Sequence, residues 1–67
     1  MGMKYIRDYY GVPAKRGGII EYTGGKSPVR GVITGADGAW LRIRLEGENW
    51  SRRFNPAWKI SYLGDKT

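Results

Sequence analysis

Eleven glycines, gathered in clusters, cut this 67-residue chain into pieces that suit strands and turns better than helices. Nine of them fall at Gly17-Gly18, Gly24-Gly25, between Gly31 and Gly38, and at Gly47 and Gly64. In the short runs between them, β-branched and aromatic side chains alternate with polar ones, as in half-buried strands. Strands are expected at Gly18 to Thr23, Val29 to Thr34, Ala39 to Leu45, Trp50 to Phe54 and Trp58 to Leu63. The third is the clearest, because Leu41, Ile43 and Leu45 point one way while Trp40, Arg42 and Arg44 point the other. Asp37-Gly38 before it suits the two central positions of a tight hairpin turn, both of which tolerate positive φ. Gly31, inside the second strand, suggests a bend or bulge. Asn55-Pro56-Ala57 reads as a single turn before the last strand.

Short antiparallel strands in one small domain close most economically into a barrel, which limits bare edges. The expected fold is all-β: one domain over residues 1–67, with an N-terminal arm at 1–16, a five-stranded antiparallel barrel at 17–63 and a frayed tail at 64–67. Gly11 and Pro13 argue against a helix in Tyr9-Tyr10-Gly11-Val12-Pro13-Ala14-Lys15-Arg16. An extended arm is expected there, laying Tyr5, Ile6, Tyr9 or Val12 over one end of the barrel.

A chain this short buries little of its surface, and without Cys it has neither disulfides nor a thiolate zinc site to reinforce it. The core must come from its hydrophobic residues, including nine aromatics. There is no His, hence no general base of the usual kind near neutral pH. The six carboxylates are scattered or sit in turn-like sequence, with only Glu46 and Glu48 close together. A catalytic site, a metal site and a small-molecule cofactor are all absent from this reading. Gly25-Lys26-Ser27 imitates a phosphate-binding loop, but position 20 is Ile20 where that motif needs Gly, and a strand follows where it needs a helix.

Twelve basic against six acidic residues give a formal charge of +6. Such a balance favours an anionic partner, nucleic acid before a membrane surface. No apolar run is long enough for a membrane span, and Met1-Gly2-Met3-Lys4-Tyr5 opens no signal peptide. A cytoplasmic protein is therefore expected.

Tyr22-Thr23-Gly24, followed by a loop and Arg30-Gly31-Val32-Ile33-Thr34-Gly35, resembles the KOW motif of Src-homology-3-like barrels. Phe54-Asn55-Pro56-Ala57-Trp58-Lys59-Ile60 is similar to the closing segment of those barrels, where a short helical turn precedes the final strand. The loop from Gly24 to Pro28 is longer than the motif's and contains proline. Together with Asn55-Pro56-Ala57-Trp58, the stretch from Tyr9 to Gly17 also resembles short phage- and prophage-encoded proteins. That kinship implies a bacterial or phage cytoplasm, where small basic barrels meet nucleic acid or host machinery.

The candidate interface is the outer face of the third strand. Trp40, Arg42 and Arg44 stand at every second position and project from one side. Arg30 on the neighbouring strand extends the row, and Arg53 is the outward member of Arg52-Arg53 if Phe54 is core. Lys15-Arg16, beside Gly17-Gly18, is a further candidate for tracking phosphates. Guanidinium on phosphate and indole on base is the combination that single-stranded nucleic-acid binders use. The alternative is a solvated sheet face with Trp40 covered by the N-terminal arm, and Trp50 and Trp58 in the core or at its rim. A second functional class is a protein-interaction module, in which Tyr9, Tyr10, Trp50 and Trp58 form a groove for a Pro-rich or acidic segment of a host or phage protein.

Overall fold

The computed structural model describes residues 3–64. One helix, α1 (Met3–Tyr10), precedes five strands: β1 (Ile19–Tyr22), β2 (Val29–Asp37), β3 (Trp40–Leu45), β4 (Arg52–Phe54) and β5 (Ile60–Gly64). The strands form a single antiparallel sheet in the order β4-β3-β2-β1-β5. Of the tail expected at 64–67, Gly64 closes β5 and the rest lies outside the described residues.

The N-terminal segment corrects the expectation of an extended arm. Met3, Ile6 and Tyr10 recur at i, i+3 and i+7, which puts them on one side of a helix. Ile6 is fully buried in the core, and Met3 and Tyr10 pack partly against it. On another side, Lys4 bonds Asp8 at 2.8 Å and Tyr5 stacks on Tyr9. Gly11 ends the helix: its φ is +67° and its N–H donates to the Arg7 carbonyl at 2.9 Å, as a left-handed C-terminal cap requires. The glycine that seemed to forbid a helix thus terminates one. The Arg7 guanidinium donates to the Ala14 carbonyl at 2.8 Å, and Ala14 is buried in the core cluster.

β2 is three residues longer than expected and accommodates its length with a bulge. Its register with β3 shifts between Ile33 and Gly35, not at Gly31. Gly31 serves a different purpose. A Cβ there would come within 2.8 Å of Ile43 Cγ2 and 3.0 Å of the Arg44 carbonyl oxygen. The β2–β3 turn is also shifted from expectation. Asp37 pairs with Trp40, leaving Gly38-Ala39 as the two-residue loop, with φ of +64° at Gly38. Glycine at the first central position is the type II′ pattern, so Asp37 ends β2 instead of occupying the turn's centre.

The core is aliphatic: Ile6, Ala14, Ile20, Ile33, Leu41, Ile43 and Leu45, with Phe54 its one buried aromatic among the described residues. The aromatics contribute less to it than expected. Tyr10, Tyr22 and Tyr62 are only partly buried, while Trp50 and Trp58 are 61% and 54% exposed. The sheet curls strongly. At ~4.8 Å per strand, β1 and β4 would stand ~14 Å apart in a flat sheet, yet the Tyr22 and Phe54 rings meet edge-on at 4.9 Å. β4 and β5 are the two edges and do not pair with each other, so hydrogen bonds leave the sheet open. The segment between them is tied down by the Tyr62 hydroxyl, which donates to the Pro56 carbonyl at 2.6 Å. Lys59, with φ of +58°, turns the chain into β5, and its carbonyl accepts the Thr23 N–H.

Candidate nucleic-acid interface

Strict alternation makes β3 two-faced: Leu41, Ile43 and Leu45 are buried while Trp40, Arg42 and Arg44 are exposed. Paired residues of neighbouring strands share a face. Val32 opposite Arg44, Gly35 opposite Arg42 and Asp37 opposite Trp40 therefore lie on the outward side of β2. Arg30, two residues before Val32 and exposed, belongs to the same side. On the other flank Arg53 stands opposite Arg42, whereas Arg52 faces the core side, where it bonds Glu48 at 3.0 Å and lies over the Phe54 ring. One wall of the sheet thus carries Trp40, Arg42, Arg44, Arg53 and Arg30.

Trp40 is 45% exposed, so the N-terminal segment does not cover it. The Arg53 guanidinium carbon lies 6.0 Å from the centroid of the indole, and these two residues line an open depression of about 310 Å³. A second depression, about 300 Å³, sits at the other end of β3 among Arg30, Val32, Arg44 and the Glu46–Glu48 turn. Between Trp40 and Arg44 the backbone runs about 14 Å.

Arg16 reaches the same region. Its Nη2 lies 3.8 Å from where a Gly35 Cβ would stand, and Gly35 is the partner of Arg42. Lys15 does not share that position. It lines a different depression of about 230 Å³ with Pro13, Gly18, Ile19, Ile33, Tyr62 and Gly64.

Acidic groups on this wall were not singled out from the sequence. Asp37 Oδ2 lies 3.5 Å from Arg42 Nη1 and 4.0 Å from Arg53 Nη1. Glu21 stands opposite Arg30 across the β1–β2 pair, and the Glu46 N–H donates to the Arg30 carbonyl. The signal for Asp37 was the hairpin itself: one residue's difference in turn assignment moves this carboxylate from the loop onto the arginine face. The rings proposed for a protein groove fall apart into two groups. On α1, Tyr9 stacks on Tyr5 and meets Tyr10 edge-on, while Trp58 lies beside Tyr22. No family model, curated protein or solved structure matches this chain.

Proposed function

We propose that this protein binds nucleic acid, without chemistry of its own, through the outward face of β3. One observation carries the reading: an indole 45% open to solvent shares a single wall with three exposed guanidinium groups, Arg42, Arg44 and Arg53, the last of them beside it. Arginines there supply charge for phosphates and Trp40 a flat apolar surface for a base. The net charge of +6 adds long-range attraction for a polyanion. A Src-homology-3-like barrel, as found around KOW motifs, is the parent architecture we infer, and the Tyr22–Phe54 contact across the curled sheet supports it. The cytoplasm is the compartment this reading implies. The eight-residue α1 is the one helix among the described residues, none of which forms a helix long and apolar enough to cross a membrane.

Titration of labelled single- and double-stranded oligonucleotides at several salt concentrations tests the proposal. About four phosphate contacts give a log–log slope of roughly −3 to −4, and Trp40→Ala costs about 1–3 kcal/mol of affinity if a base stacks there. Absence of binding at low salt rejects it. A second reading, docking of an acidic segment from a host or phage protein, draws support from the exposure of Trp50 and Trp58. It is separated from the first by a pull-down whose captured partner persists after nuclease treatment.

A further inference from the structure

The two residues lining the depression at the start of β3 are both flat. The Arg53 guanidinium carbon lies over the indole, 6.0 Å from its centroid, too close to admit a planar ring between them. A stacked ring sits about 3.5 Å from each neighbour, so about 7 Å would hold one ring between two flat groups. Moving Arg53 outward by about 1 Å opens that space.

Little holds Arg53 in place. Arg42 and Arg53 are cross-strand partners, an arrangement that sets like charges side by side and is unfavourable by itself. Asp37 sits between them, yet one carboxylate oxygen serves both guanidinium groups at 3.5 and 4.0 Å. The three side chains are about half exposed, between 44% and 61%, and ion pairs this open to solvent are weak and screened by salt. A phosphodiester has two free oxygens and matches the guanidinium fork in geometry, so it competes well for the position of Asp37.

Resting on the nucleic-acid reading above, we propose that Trp40 and Arg53 form a slot for one unpaired base of a single-stranded nucleic acid, with the Arg42–Arg53 pair taking a phosphate in place of Asp37. A duplex base is already stacked on both faces and must be extruded before it can enter such a slot. Asp37 is then the resident counter-ion that a ligand displaces, and it lowers affinity in the free protein.

The test compares a labelled oligothymidylate with a stable abasic strand of equal length, for the wild type and two variants whose thermal melts are recorded first. The wild type should prefer the base-bearing strand by roughly 5- to 150-fold, the range expected for stacking of one base. Arg53→Lys keeps the charge but loses the flat face, so the preference should fall several-fold while the salt slope holds. Asp37→Asn should tighten both strands several-fold and leave the preference intact. Equal binding of both strands by the wild type overturns the slot while leaving a charge-driven interface standing. Unchanged or weaker binding by a folded Asp37→Asn variant overturns the role of Asp37. If the wild type binds neither strand at low salt, the nucleic-acid reading itself fails.

Discussion

Gly31 lies where β2 meets β3 so closely that a methyl group would press on Ile43 and on the Arg44 carbonyl. Backbone cannot yield as a flexible side chain can, so Gly31→Ala is expected to cost about 1–3 kcal/mol as overpacking. A lower urea midpoint with unchanged slope is the sign to look for. Lys59 is the opposite case, a residue with a Cβ held at a φ of +58°. Left-handed backbone costs roughly 1–2 kcal/mol for a non-glycine residue, part of which glycine returns through its freer unfolded chain. Lys59→Gly should therefore raise stability by about 0.5–1 kcal/mol, and a lower midpoint would reject that account. Tyr62 adds a dependence on pH. Burial raises its pKa from 10.0 to about 12, so folding favours the protonated phenol that donates to Pro56. Its contribution is complete below pH 10 and is lost as the pH climbs from about 10 towards 12. Tyr62→Phe should cost about 0.5–1.5 kcal/mol at neutral pH and should show a shallower loss of stability across that alkaline window. Denaturant titrations of both proteins at several pH values measure the difference.

At the scale of elements, α1 is too short to persist alone in water and depends on packing. Ile6 is its single fully buried residue. Ile6→Ala should thus destabilise the whole domain by about 2–5 kcal/mol, whereas a loosely attached arm would tolerate it with no change in melting temperature. The helix was legible in principle, from Met3, Ile6 and Tyr10 at helical spacing and from Gly11 placed to end it. It was obscured because Gly and Pro mark helix ends and loops alike. All five strands could be read from the chain because period-two alternation survives tertiary packing, most fully in Trp40–Leu45. Their ends were less certain. Trp50 and Ser51 lie outside β4, and Trp58 and Lys59 outside β5, because strand length there follows pairing rather than side-chain pattern. The same limit applies to the interface. Alternation placed Trp40, Arg42 and Arg44 on one face, but Asp37 joins them only through the exact hairpin register, and Arg16 through a fold-back that local sequence does not encode.

For the molecule as a whole, a radius of gyration of 10.7 Å lies close to the ~11 Å expected for a packed chain of this length, consistent with α1 docked on the sheet. The aliphatic core leaves most large rings at the surface, so the exposed aromatics are available to ligands at little cost to folding. An open sheet, however, also presents two rims to its surroundings. β4 is one of them, three residues long, with two arginines and Pro56 two positions beyond Phe54. Brevity, charge and proline all discourage edge-to-edge pairing between molecules. Arg53 thus serves two ends with one charge, since the cation that would attract a polyanion also keeps neighbouring copies apart. Replacing Arg52 and Arg53 together with serine should make the protein self-associate at millimolar concentration, visible by sedimentation, and added salt should push even the wild type in that direction.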